Sequence, residues 1–216
     1  MPKTMFITFE GCEGTGKSTQ AGLLSTYLES LGKKVCLTRE PGGTALGQNF
    51  RQIILNPENQ RLVTRAELFL YFADRAQHVE ELILPKLEEG IIVISDRYSD
   101  ATYAYQGGGR GIELDLLRQL NEYACYKLVP DITILLDIDA STGLLRARKN
   151  RKEFNEENGD RIEQQTLDFH ERVRKVYLEL ASAEPDRFLI VDANGTIEDV
   201  HARIIEKFTN WSGLEL

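Results

Sequence analysis

The stretch Met5-Phe6-Ile7-Thr8-Phe9-Glu10-Gly11-Cys12-Glu13-Gly14-Thr15-Gly16-Lys17-Ser18-Thr19 runs from an apolar segment through a glycine-rich turn into a helical pattern. Residues 11–18 satisfy G-x-x-x-x-G-K-[ST] at every fixed position. The glycines let the backbone turn sharply and approach an anion closely, so that successive N–H groups at a helix start can face phosphate oxygens. In such a loop Lys17 reaches the β- and γ-phosphates of a nucleotide and Ser18 ligates Mg²⁺. The flanks supply the order this motif requires. Residues 5–9 read as a buried strand, and Leu23, Leu24, Tyr27 and Leu28 recur at helical spacing after the loop.

Outward from that loop, the 216 residues alternate apolar runs with amphipathic stretches, the pattern of an α/β chain whose parallel sheet is covered by helices on both faces. Five segments, 5–9, 34–38, 91–95, 132–137 and 188–191, read as strands. Helices are expected at 17–31, 45–55, 64–88, 113–127, 140–149, 161–183 and 196–209. No repeat or linker divides the chain, which suits one domain over 1–216. The stretch 149–159 is almost wholly polar, cannot bury a face, and reads as a short mobile lid over about 147–161.

Charge and cysteine content narrow the function. The formal net charge is -8, so a main role in gripping nucleic acid is disfavoured and any anion site should be local. The 3 cysteines, Cys12, Cys36 and Cys125, form no C-x-x-C pair, and no His stands at metal-ligand spacing, so neither a disulfide framework nor a zinc site is indicated. With no leader pattern and no apolar run of membrane-spanning length, the expectation is a cytoplasmic protein with no membrane partner.

Ligands of open α/β sheets collect at the carboxyl ends of the strands. The third strand ends in Asp96-Arg97-Tyr98, where Asp96 can hold Mg²⁺ through water and Arg97 can neutralise a phosphoryl group in transfer. The second ends in Arg39-Glu40-Pro41-Gly42-Gly43-Thr44, a rigid turn that brings Arg51 one to two helical turns later. Tyr71 and Arg75 are four apart and share a helix face, although part of the block Phe69-Leu70-Tyr71-Phe72 must be core. Thr102, Tyr105 and Gln106 lead into a flexible-looking Gly107-Gly108-Gly109 run that can line a pocket, or can be a plain loop. Arg146, Arg148, Lys149, Arg151 and Lys152 open the lid and Asp160-Arg161 closes it. Arginines there can stabilise a transferring phosphoryl group, or can be solvated charge.

Taken together, residues 9–19, 38–44, 96–98 and 105–110 resemble those of the thymidylate (dTMP) kinases, a family of P-loop nucleoside monophosphate kinases, and the resemblance extends from Phe6 to about Phe208. It implies the three-layer P-loop NTPase fold with a five-stranded parallel sheet, ATP and Mg²⁺ as co-substrates, dTMP as acceptor, dTDP and ADP as products, and a homodimer. It implies an ATP site at Gly11, Cys12, Glu13, Gly14, Thr15, Gly16, Lys17, Ser18 and Thr19. For dTMP it implies Glu40 and Pro41, the phosphate-holding Arg51 and Arg97, the stacking ring Tyr71, base contacts from Arg75, Thr102 and Gln106, and Tyr105 against the 2′ position of the sugar. Glu13 matches the carboxylate that positions the acceptor or its magnesium, and joins Lys17 and Arg97 as catalytic residues. The loop's variable positions carry no arginine, so the catalytic arginine is expected in the lid, as Arg148 or Arg151. A kinase for another nucleotide remains a rival. A GTP-dependent switch is a weaker one, because Asp192-Ala193-Asn194-Gly195 gives D-x-x-G only after the last strand and no N-K-x-D follows.

Overall fold

The computed structural model describes residues 4–153 and 159–213, with side chains described up to Lys149 and again from Gly159. Five parallel strands, β1 (Phe6–Glu10), β2 (Val35–Arg39), β3 (Ile92–Asp96), β4 (Ile132–Asp137) and β5 (Phe188–Asp192), form one sheet in the order β2-β3-β1-β4-β5. β1 is the centre and all five of its residues are buried, as a parallel strand covered on both faces requires. Alternation sends Ile7 and Phe9 to one face, against α1 (Lys17–Ser30) and α9 (Ile197–Ser212), through Leu24, Leu28, Ile204 and Phe208. Phe6 faces the other side with Val79, Val93 and Tyr98. Buried Thr8 is no exception to polar satisfaction, because its hydroxyl pairs with that of Thr133 at 2.9 Å.

The remaining helices are α2 (Ala45–Leu55), α3 (Thr64–His78), α4 (Leu84–Glu88), α5 (Ser99–Thr102), α6 (Leu114–Ala124), α7 (Ala140–Glu153) and α8 (Leu167–Ala183). Several differ from the pattern reading. The expected helix 64–88 is interrupted by a π-helical turn, Val79–Ile83, in which Leu84 N–H donates to the carbonyl of Val79, five residues back. Pro85 follows at once. It lacks an N–H and crowds the preceding turn, which the wider π turn accommodates. Helix 113–127 stops at Ala124 because Tyr126 and Lys127 adopt φ of 51° and 60°, outside helical space. Helix 161–183 begins only at Leu167, where the Thr166 hydroxyl caps it by accepting from Phe169 N–H at 3.3 Å.

The largest correction concerns Gly107-Gly108-Gly109. These residues are not a flexible run but the end of a π-helical segment, Tyr103–Gly109, that continues α5. Their lack of side chains serves close packing: a Cβ on Gly108 would stand 2.7 Å from Val176 Cγ2, and one on Gly109 would stand 2.4 Å from the Phe169 ring. α8 therefore lies directly on this segment. Of the expected lid, α7 carries the chain outward to Glu153, residues 154–158 lie outside the described residues, and Gly159 onward is back on the body of the protein. Among the described residues no helix is long and apolar enough to cross a membrane.

Candidate active site

At the carboxyl end of β1 the chain enters the phosphate-loop motif, and its conformation is one that glycine permits. Gly11 has φ 140° and Gly14 has φ 69°. A Cβ at Gly14 would fall 1.9 Å from the carbonyl oxygen of Gly143 on α7, and a Cβ at Gly143 would fall 2.4 Å from that of Glu13. Loop and α7 thus touch backbone to backbone. Gly143 carries no motif signature, so sequence reading gave it no role. Inside the loop Lys17 is buried and donates to Cys12 O at 2.7 Å and Thr15 Oγ1 at 3.4 Å; burial, with Arg97 beside it, lowers its pKa. An anion in the loop would relieve that strain. Cys12 is buried as well, and burial pushes its thiol up to about 12, which leaves it protonated and unreactive.

The loop forms one end of a cavity of about 400 Å³, a size suited to small-molecule ligands. Glu13, Gly14, Gly16, Lys17, Ser18 and Thr19 line it, and so do Glu40, Pro41, Arg51, Tyr71, Arg75, Asp96, Arg97, Thr102, Tyr105 and Gln106. Gly11, Cys12 and Thr15 stand behind the lining within the loop. The Ser18 hydroxyl donates to Asp96 Oδ2 at the end of β3, joining the two expected metal-side oxygens.

Arg97 is the centre of the arrangement. It adopts φ 73°, an uncommon conformation for a non-glycine residue. Its guanidinium donates to Glu13 Oε1 at 2.8 Å, to the Tyr105 hydroxyl at 2.9 Å, to Gly11 O at 3.2 Å and to the Tyr177 hydroxyl at 3.3 Å. The Tyr105 hydroxyl donates in turn to Glu13 at 2.8 Å. Burial opposes ionisation of Glu13, but Arg97, Lys17 and this hydroxyl outweigh it and hold the carboxyl at about 2. Sequence reading missed the support beneath. Glu10, fully buried, accepts from Tyr98 N–H at 2.8 Å, Ala101 N–H at 3.2 Å and Tyr177 O–H at 2.7 Å. It thereby ties the Arg97 turn and α8 to β1. Burial, then neighbouring Asp100, raises its pKa to about 7.

The second wall is built around Glu40. Its buried carboxylate takes Arg75 Nε and His78 Nδ1, each at 2.9 Å, and the Glu40–Pro41 peptide is cis. Arg75 is only 2 % exposed, and its remaining bonds run to Thr102 Oγ1 at 2.8 Å, Asn121 Oδ1 at 3.0 Å and Tyr98 O at 2.9 Å. Four of its five N–H donors are therefore committed within the protein. It still lines the cavity, but chiefly as the strut that fixes Glu40, Thr102 and the Tyr98 turn. Arg51 donates to Pro41 O at 2.9 Å; burial, then nearby Arg39, lowers its pKa, the mark of a corner short of negative charge. Arg39, quoted in the motif but given no role, also lines the cavity, as does Asp160, whose carboxyl burial and Glu13 raise to about 6. Tyr71 lies half-buried on the cavity wall, whereas Phe72 is core and Phe69 is exposed.

Two arginines expected in the lid belong to the body of the protein. Arg146 donates to Ala193 O at 2.7 Å, and Arg161, 6 % exposed, is held by Ile54 O and Glu67. Arg148 is exposed on α7, and the side chain of Arg151 lies outside the described residues. The Asp192–Gly195 turn is not part of the cavity: Asp192 accepts from Asn194, and its carbonyl accepts from Arg203.

Comparison with known proteins agrees with this arrangement. The family model for thymidylate kinase matches residues 9–204. The chain is 51% identical over 200 residues to the thymidylate kinase of Pelobacter propionicus, covering 93% of this chain and 91% of that one. It is 52% identical over 202 residues to that of Syntrophotalea carbinolica, covering 93% of each. The crystal structure of thymidylate kinase from Ehrlichia chaffeensis superposes with a TM-score of 0.78 at 34% identity, covering 96% of this chain and 100% of that one. A phosphate loop at the head of a central β1, one cavity shared with the β2 and β3 turns, and this extent of likeness make the chain a member of the thymidylate kinase family, with the α/β P-loop NTPase fold and the activity class of an ATP-dependent nucleoside monophosphate kinase.

Proposed function

We propose that the chain transfers the γ-phosphoryl group of ATP to dTMP, yielding dTDP and ADP for dTTP synthesis. The observation that carries this reading is that the phosphate loop and the wall bearing Tyr71, Thr102 and Gln106 enclose one cavity, with the Arg97–Glu13 pair between them. Phosphoryl transfer needs little covalent help and much positioning and charge stabilisation. Gly11 to Thr19 hold the ATP phosphates, and Lys17 supplies charge to the β- and γ-positions. Arg51 and Arg97 receive the dTMP phosphate, Glu13 orients Arg97, and Glu40 and Pro41 shape the turn. Tyr71 stacks on the base, which Thr102 and Gln106 read, and Arg75 braces their wall. Tyr105 packs against the sugar. Arg148 or Arg151 completes the charge on closure.

The oxygens of Ser18 and Asp96 suit a hard cation, and among the described residues no three His, Cys, Asp or Glu converge into a site that would hold one alone. Mg²⁺ arriving with ATP would be held by Ser18 and, through water, by Asp96, and would neutralise charge on the triphosphate. The family resemblance supports a single kinase domain, a homodimer and a cytoplasmic location as parts of the same reading. Replacing Lys17 with Met tests the phosphate loop: the folded variant should bind dTMP yet lose most turnover, and near-normal kcat would refute the assignment.

A further inference from the structure

We infer that Glu67 decides which base edge the cavity accepts, by fixing the direction of the Gln106 carboxamide; the inference rests on dTMP being the acceptor. Glu67 lies on α3 and is 1 % exposed. It accepts from Arg110 Nε at 3.2 Å and Nη2 at 3.1 Å, and from Arg161 Nη2. Burial opposes its charge, but the two guanidinium groups outweigh burial and keep it ionised. An ionised carboxylate has no hydrogen to give. Gln106 stands 3.1 Å from Glu67 Oε1, so the amide must turn its NH₂ group toward Glu67, and its carbonyl oxygen is the end left for a ligand.

Four residues earlier on the same helical segment, Thr102 Oγ1 already accepts from Arg75, which leaves its hydroxyl hydrogen as the group to offer. Both residues are buried and both line the cavity. The wall therefore presents an acceptor from Gln106 and a donor from Thr102. Thymine and uracil match this pair with N3–H and the C4 carbonyl. Cytosine presents the reverse, an unprotonated N3 and an amino group, and would set acceptor against acceptor and donor against donor. Leaving such groups unpaired in a buried site costs heavily. Without Glu67 the amide could rotate and satisfy either base. Glu67 is thus a positioning residue for base choice that need not touch the substrate.

The test measures kcat/KM for dTMP and dCMP in the wild type and in Glu67→Gln, Gln106→Met and Gln165→Met. Glu67→Gln can donate or accept, so the dTMP/dCMP ratio should fall about 10-fold or more, mainly through a higher KM for dTMP, with the ATP KM within about twofold of wild type. Gln106→Met leaves the Glu67 ion pairs intact but removes the acceptor that Glu67 is held to orient, so it should lose the same selectivity, and a ratio that persists there refutes the inference even if Glu67→Gln does not fold. Gln165→Met removes the Arg110 Nη1 contact at 2.9 Å on the far side of the cluster but leaves the Glu67 ion pairs and the amide in place, so it should keep the ratio within about twofold. An unchanged ratio in Glu67→Gln or in Gln106→Met, or an equal fall in Gln165→Met, would overturn the inference. A wild type that phosphorylates no dTMP would overturn the acceptor reading and this inference with it; a wild type that does so, with variants of unchanged selectivity, overturns the inference alone.

Discussion

Gly143→Ala is the substitution whose effect follows most directly from the backbone contact between α7 and the phosphate loop. The added Cβ would lie 2.4 Å from Glu13 O and 3.4 Å from Ile138 Cγ2. Ordinary C···O contacts begin at about 3.3 Å, so the loop or α7 must retreat by about 1 Å. Neither partner is a flexible side-chain tip, and the displaced atom belongs to the residue that orients Arg97. A displacement of about 1 Å in a positioning element costs about 10²-fold in rate, and overpacking of this kind costs about 1–3 kcal/mol of stability. Steady-state kinetics with ATP and dTMP should show that loss mainly in kcat, and thermal denaturation should show a Tm lower by about 2–10 °C. Gly22→Ala is the control. It lies within α1, where a new Cβ meets nothing within 4 Å, and should leave activity unchanged while stabilising the helix by about 0.5–1 kcal/mol. Wild-type kcat and Tm in Gly143→Ala would refute the argument.

Glu10→Gln should flatten the pH dependence of stability. The folded pKa near 7 lies above the usual carboxyl value of 4.5, so between those limits the folded state holds a proton that the unfolded state lacks. Glu10 therefore adds stability as pH falls from about 8 to about 5, by up to about 3 kcal/mol, and urea melts of the variant should lack that increment; identical slopes would contradict it. Tyr105→Phe keeps the ring but removes the hydroxyl that joins Glu13 to Arg97, so kcat should fall about 10-fold while the preference for deoxyribose over ribose monophosphates persists, whereas Tyr105→Ala should lose both. A Phe variant with full kcat but no sugar preference would reverse these roles. Of Arg148→Ala and Arg151→Ala, one should lower kcat about 10²-fold with little change in either KM, and a double variant with nearly full kcat would leave the lid only a water-excluding part.

The β1–loop–α1 unit could be read from sequence because its signals are local: a short apolar run, glycines at fixed offsets, then a helical period. The same holds for the five strands, each displaced by no more than a residue. What local pattern could not carry was the identity of distant partners. Arg75 read as a base contact and does line the cavity, but nothing nearby in sequence shows that Glu40, 35 residues away, and Asn121, 46 residues away, also use its donors. Arg161 read as lid charge until Glu67, 94 residues away, took it into the body of the protein. Gly107-Gly108-Gly109 has the composition of a loop, yet the approach of Phe169 and Val176 from α8 makes those residues helical. Glu10, quoted within the motif but given no role, gains one only when the Tyr98 turn and Tyr177 close over it.

The central claim is that one cavity brings ATP and dTMP together for phosphoryl transfer. Purified protein incubated with ATP, Mg²⁺ and, separately, dTMP, dUMP, dCMP, dGMP, dAMP and UMP, with product nucleotides resolved by chromatography, tests it most directly. The account predicts dTDP and ADP in equal amounts with dTMP as the preferred acceptor, dUMP poorer by about 10–200-fold for want of one methyl group, and little product from the others. No transfer to dTMP, or a clear preference for a purine or cytosine monophosphate, would contradict it.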